Sequence, residues 1–242
     1  MDERALIIDQ AIALFEQIYV HLPLKRAMYA IDPVQRLRLL RYQLKQSKAD
    51  LSFHRKMIDI FTSLHDLHTN YLLPDPFHGG VAALPFRVEA FFADGVRKYL
   101  LAGTARCFAH STFRAGVEVH FWNGVPIARA VEVAAAYGAG SNPDASHARG
   151  LAALTARPLT LSPPPDEEWV VVGYRTAEGR DLEFRADWIV TTLPPENRVD
   201  PRAPVKAATA LAYESTGRGC QVVRGNRADD VSRNEGFIYL GI

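Results

Sequence analysis

The sequence predicts an α+β protein whose N-terminal part is helical. Up to about residue 74 the apolar residues recur at helical spacing. From about 80 to 192, short alternating strands and tight turns flank two helical stretches. After 193 the periodicity is lost until a last apolar run. These shifts divide the chain into a helical subdomain at 1–79, a compact α+β unit at 80–192, and a linker with one terminal strand at 193–242.

In the first part, Ile8, Ala11, Ile12, Phe15, Ile18 and Tyr19 mark one amphipathic helix over residues 5–22, which Pro23 is expected to close. A second helix opens at Asp32-Pro33, a side-chain cap followed by proline at the first helical position. Val34, Leu37, Leu40 and Leu44 form its buried stripe, and Arg36, Arg38, Arg41, Lys45 and Lys48 its solvated face. A third starts near Ser52 and runs into Thr62–Pro74, T-S-L-H-D-L-H-T-N-Y-L-L-P. Extrapolated at helical spacing, His68 lines up with Phe53, Met57, Phe61 and Leu64 where the helix runs out. Such an imidazole is either a core histidine or a base at the rim of a cleft. Tyr71-Leu72-Leu73 reads as strand-like, ended by Pro74.

The middle part opens with a hairpin, Phe86–Phe92 and Lys98–Leu101, joined by Ala93-Asp94-Gly95. Residues 113–127 hold a glycine turn, an alternating strand and an Asn123-Gly124 turn. Helices follow at 127–137, stopped by Gly138, and from a cap at 141–144 through Ala156. Trp169–Tyr174 and Leu182–Val190 pair around Glu178-Gly179. Trp122 and Trp169 are expected in the core. The terminal G-F-I-Y-L-G-I opens a strand that needs a pairing partner, which suggests a continuation.

Composition narrows the function classes. The 242 residues carry Lys+Arg 28 against Asp+Glu 27, a net charge of +1, with no block of either sign. That gives no footprint for nucleic acid or an anionic membrane. Cys107 and Cys220 are too few for a disulfide scaffold, and no apolar run is long enough to span a bilayer. A soluble, cytoplasmic protein without cofactor is expected.

Two chemistries compete at the residues themselves. None of Ser47, Ser52, Ser63, Ser111, Ser141, Ser146, Ser162, Ser215 and Ser232 stands in G-x-S-x-G or S-x-x-K, so none has an activating context. His65 and His68, with His54, His78 and Asp66 nearby, have the residue types of a metal site but not H-E-x-x-H, and no metal is expected.

The D-L-H-T of residues 66–69 resembles the D-x-H-T element of the tricorn-type and tail-specific (C-terminal processing) serine peptidases. F-R-A-G-V-E-V-H-F-W-N-G-V-P-I-A-R-A-V from Phe113 resembles that family's PDZ-like segment. G-S-N-P-D-A-S-H-A-R-G-L-A-A-L-T-A-R-P-L, P-P-P-D-E-E-W-V-V-V-G-Y and the terminal G-F-I-Y-L-G-I continue the likeness in order. The resemblance implies a PDZ-like domain at 80–192, and at 193–242 the start of a catalytic α/β core. It also implies His68 as general base for a serine in the core beyond Ile242. A free imidazole, titrating near about pH 6.5, can accept a hydroxyl proton at neutral pH. Some tricorn-like members carry a serine before the base, where Leu67 stands here; another branch uses lysine as base. The PDZ likeness further implies peptide binding by strand addition, with the peptide carboxylate held by the loop 109–116, in particular Phe113, Arg114, Ala115 and Gly116. The expected partner is thus a peptide or protein substrate. The alternative is a PDZ-like module that binds peptides without cleaving them.

Overall fold

The computed structural model describes residues 3–44, 50–105 and 108–192. The expected linker and final strand of 193–242, with Cys220, lie outside the described residues, as do Lys45, Lys48 and Cys107. The fold is α+β: helices first, then antiparallel sheets with two helices packed on them.

Helix α1 (Glu3–Ala13) passes into one π-helical turn (Leu14–Ile18), closed by the Tyr19 N–H on the Leu14 carbonyl at 2.9 Å. After a 98° bend the chain forms α2 (Leu22–Tyr29). The single helix expected over 5–22 is therefore two helices. Pro23 lies in the first turn of α2, where its missing N–H has no intrahelical partner to lose, so it opens a helix instead of closing one. Helix α3 (Pro33–Gln43) starts as expected: the Asp32 carboxylate accepts the Gln35 N–H at 3.0 Å. Three of the basic residues expected to face only solvent make ion pairs across helices, Arg38 with Glu16, Arg41 with Asp9 and Arg36 with Asp59. All three pairs are solvent-exposed and individually weak.

Helix α4 (Asp50–Thr62) buries Phe53, Met57, Ile58, Ile60 and Phe61. Its Phe61 ring packs at 4.9 Å on Phe15 and at 5.9 Å on Tyr71. These side chains, with Ile8, Leu37 and Leu73, form the core of the helical part. Tyr71 and Leu73 are buried, but the strand expected at 71–73 is absent; Leu73 makes a single backbone bond to Thr160 at 2.8 Å.

The second part has two sheets. The larger runs in the order β2 (Phe86–Ala93), β3 (Val96–Thr104), β4 (Glu118–Trp122), β7 (Trp169–Arg175), β8 (Asp181–Asp187), with the short β5 (Val125–Pro126) beside β4. Asp94-Gly95 and Asn123-Gly124 turn with both residues at positive φ, the geometry that tight hairpins favour. Helices α5 (Ile127–Ala134) and α6 (Pro143–Thr155) pack on this sheet; α6 is capped by Asn142 accepting the Ala145 N–H. They cross closely at Gly150, where a Cβ would come within 2.2 Å of the Val131 carbonyl oxygen.

A smaller sheet was not foreseen. β1 (Gly80–Ala83) pairs with β6 (Ala156–Pro158) on one side and β9 (Ile189–Thr192) on the other. Val190 thus belongs to this sheet, not to the hairpin strand expected over 182–190. Trp122 is buried as expected, but Trp169 is 41% exposed, its ring covered at 3.9 Å by the Arg185 guanidinium. Among the described residues no single helix is long and apolar enough to cross a membrane.

Candidate active site and peptide cleft

His68 does not lie on the buried stripe of α4. The helix stops at Thr62, before the geometry can carry that stripe to position 68. The Ser63 hydroxyl donates back to the Ile60 carbonyl at 2.6 Å. Leu64 and His65 then tighten the chain through i to i+3 bonds to Phe61 and Thr62, and His65 turns to φ +50°. Leu64 stays buried, while the chain beyond it folds into an exposed turn. The His68 side chain is 95% exposed, which removes the core-histidine reading.

Asp66 organises that turn. Its Oδ1 accepts the His68 N–H at 2.9 Å, the side-chain-to-backbone bond of an Asx-type turn, and its Oδ2 accepts the Tyr19 hydroxyl at 2.7 Å. The Asp66 side chain is only 15% exposed. Burial pushes its pKa up, but the His68 N–H, the Tyr19 hydroxyl and the nearby Lys25 charge outweigh that and hold the carboxyl below its ordinary value. Burial, and then Asp66, push the Tyr19 hydroxyl pKa upward. The His68 Nδ1 stands 3.6 Å from Asp66 Oδ1, too far for a hydrogen bond but within reach of a charge interaction. The turn therefore offers a carboxylate behind one ring nitrogen of His68 and an open approach to the other. Asn70 closes it by donating to the Leu67 carbonyl at 2.6 Å.

Tyr19 and Lys25 belong to this site and were not found from the sequence. Lys25 Nζ donates to the His65 carbonyl at 3.1 Å. Their partners lie 47 and 40 residues along the chain, and no motif links them. The π-helical turn is what delivers Tyr19: the chain leaves it extended and the ring is carried toward Asp66.

The candidate metal ligands go separate ways. His54 Nδ1 is hydrogen-bonded to the Tyr71 hydroxyl at 2.7 Å, and His65 Nδ1 bonds the Gly140 carbonyl at 2.9 Å. Among the described residues no group of three or more His, Cys, Asp or Glu has the arrangement of a metal site.

The loop 109–116 lines a cleft of about 420 Å³, shared with the turn between β7 and β8. Ser111, Thr112, Arg114, Ala115 and Gly116 form one wall; Thr176, Glu178 and Arg180 form the other. Phe113 does not face it. That ring is fully buried, stacked on Phe184 at 4.5 Å and edge-on to Phe86 at 5.0 Å. The loop is held by His110, whose Nδ1 accepts the Phe113 N–H at 2.9 Å, and by Thr112, hydrogen-bonded to the Tyr174 hydroxyl at 2.7 Å. The Gly116 and Val117 N–H groups are occupied by the Leu101 and Arg114 carbonyls, so they are not open to a peptide carboxylate. The cleft's anion-attracting groups are side chains: Arg114 and Arg180, the latter 3.8 Å from Glu178. The hydrogen bond from Thr176, with smaller contributions that include both arginines, lowers the pKa of Glu178. Arg180, Thr176 and Glu178 were not legible as site residues, because the Glu178-Gly179 sequence signals only a turn.

No family model matches the sequence, and no curated protein matches it. Solved structures do match. The crystal structure of mature CPAF aligns with a TM-score of 0.64 at 19% identity, covering 78% of this chain and 34% of that chain. The structure of mature CPAF complexed with lactacystin aligns with a TM-score of 0.62 at 19% identity, covering 78% and 35%. CPAF, the chlamydial protease-like activity factor, is a serine protease with a tail-specific-protease-like fold. At this identity the likeness shows a shared fold, and it does not single out the tricorn type. The chain spans about a third of the length of the solved structures it matches.

Proposed function

We propose that this chain is the N-terminal part of a serine-type peptidase related to the tail-specific enzymes. His68 is its general base, and sequence outside the chain supplies the nucleophilic serine. One observation carries the reading most directly: a half-buried carboxylate, Asp66, clamps the turn that presents His68 at 95% side-chain exposure. The clamp fixes the backbone at position 68 and leaves the imidazole itself open to solvent. The peptidase-type fold and the ordered run of motifs point the same way.

In this mechanism the serine Oγ attacks the scissile carbonyl carbon while the outward Nε2 of His68 takes its proton. His68 then returns the proton to the departing amine, leaving an acyl-enzyme that water hydrolyses. Asp66 Oδ1 lies 3.6 Å from the other ring nitrogen, Nδ1. The substrate is a peptide or protein. The PDZ-like unit of 80–192 captures its free C-terminus in the cleft beside Ala115 and Gly116, where Arg114 and Arg180 attract the carboxylate.

A fluorophosphonate probe for activated serines tests this. The chain alone should remain unlabelled, and the complete protein should label at one serine outside it, losing the label with His68→Ala. Stoichiometric labelling of any serine within the chain would end the proposal. A second reading, a PDZ-like peptide binder without catalysis, is favoured only by the cleft. A complete protein that binds peptides and never takes the label would establish it.

A further inference from the structure

We infer that His65 is a positioning residue. It ties the Asp66–His68 turn to the connection between α5 and α6, so that the seating of that connection sets the geometry of the turn. The functional meaning rests on the His68 reading above; the coupling itself does not.

His65 immediately precedes Asp66 and holds φ +50°, a backbone region that non-glycine residues avoid unless their surroundings fix them there. Three contacts do so. Its Nδ1 donates to the Gly140 carbonyl at 2.9 Å across 75 residues of chain, which sets the tautomer because the acceptor is an oxygen. The ring lies on Tyr29 with centroids 4.2 Å apart. Its own carbonyl accepts Lys25 Nζ at 3.1 Å. Tyr29 repeats the grip one residue along, its hydroxyl donating to the Ser141 carbonyl at 3.2 Å. Two side chains of the helical part thus hold two successive carbonyls just before the Asn142 cap of α6.

The far end of this link is not free to adjust. A Cβ at Gly140 would come within 2.3 Å of Ser146 Oγ and 2.5 Å of its backbone nitrogen, so the connection is pressed against the first turn of α6. A displacement there moves the Gly140 carbonyl, and His65 is released from its strained backbone state. The Asp66 carboxylate then loses its bearing on the His68 N–H. The link joins two parts of the molecule, each with its own hydrophobic core. It is a route by which the peptide-binding part can bias the catalytic turn.

Amide hydrogen exchange at His68, read on the chain itself, tests the coupling. His65→Phe keeps the ring on Tyr29 and removes the donor. It should speed exchange at the His68 amide by about tenfold while the Gln35 amide, bonded to Asp32, is unchanged. His65→Gln, which restores a donor, should recover most of the protection. Gly140→Ala should reproduce the loss from the other side without touching the turn; a Gly140→Ala chain that does not fold leaves the decision to the two His65 variants. Exchange at His68 within about twofold of wild type in His65→Phe would overturn the inference, as would equal acceleration at Gln35, which marks a general loss of stability. In the complete peptidase, His65→Phe should lower kcat with little change in KM. If His68→Ala leaves hydrolysis intact while the exchange result holds, the base assignment fails and the coupling stands.

Discussion

Tyr19 and Asp66 are 47 residues apart in the chain and 2.7 Å apart between hydroxyl and carboxylate. The contact joins the end of a π-helical turn to a turn that no regular element supports. Together with the His68 N–H, the larger influence, it holds down the pKa of a carboxylate with 15% of its side chain exposed. The arrangement ties the backbone at His68 to the helical part.

Tyr19→Phe removes one donor to that carboxylate and keeps the ring on Phe15. A hydrogen bond to a charged, partly buried group contributes about 1.5–3 kcal/mol, so a loss of about 1.5 kcal/mol is expected in urea melts at neutral pH. The sign with pH follows from Asp66. A carboxyl with a lowered folded pKa contributes stability above its unfolded value, near about 3.9, and loses it as pH falls through the folded value. Tyr19→Phe should therefore matter less in acid than at neutral pH. A pH-independent effect would detach Tyr19 from the Asp66 charge.

His54 makes the opposite kind of titration visible. Burial, the largest cause, lowers its pKa, with Arg4 adding to the effect and Asp50 opposing it. Its unfolded form takes up a proton first as pH falls below about 6.5, so stability declines from there down to the folded pKa. His147, also lowered mainly by burial, contributes to the same slope. Urea midpoints measured from pH 7.5 down to pH 5 should fall, and His54→Gln should flatten the decline. Identical slopes for wild type and variant would contradict the assignment.

The loop before β4 should divide its duties between neighbours. Phe113→Ala empties a fully buried site among Phe86, Tyr174 and Phe184 and should cost about 3–5 kcal/mol. Arg114→Ala should change stability by less than about 0.5 kcal/mol. It should nevertheless weaken binding of a labelled peptide with a free C-terminus, and not of its amidated twin, in fluorescence anisotropy. Equal affinities for the two peptides in the unmodified chain would remove the carboxylate role of the cleft.

Local signals in the sequence located most elements. Asp32-Pro33, Asn142-Pro143, Asp94-Gly95 and Asn123-Gly124 each carry their own cap or turn chemistry, and each sits where that chemistry demands. What stayed hidden depends on distant partners. β1 is only four residues long and buried throughout, so it has no alternation to read, and its partners lie beyond residue 155. The end of α4 carries no glycine or proline; the Ser63 hydroxyl and the His65 backbone stop it, and extrapolating its apolar stripe misplaced His68. The apolar spacing continues through Phe15 and Ile18, which concealed the π-helical turn and with it the role of Tyr19. The D-L-H-T likeness therefore pointed to the candidate base, while Tyr19, which holds Asp66 from 47 residues away, became visible only in the fold.

We propose that His68 carries the proton in peptide hydrolysis. The most direct measurement is kcat/KM for a peptide substrate in the complete protein, wild type against His68→Ala, with urea melts of this chain as a control for folding. His68→Ala should leave stability within about 1 kcal/mol, as for an exposed side chain. It should lower kcat/KM by at least about a thousandfold, as when a serine triad loses its base. Hydrolysis at the wild-type rate by a folded His68→Ala protein would contradict the account and place the base elsewhere.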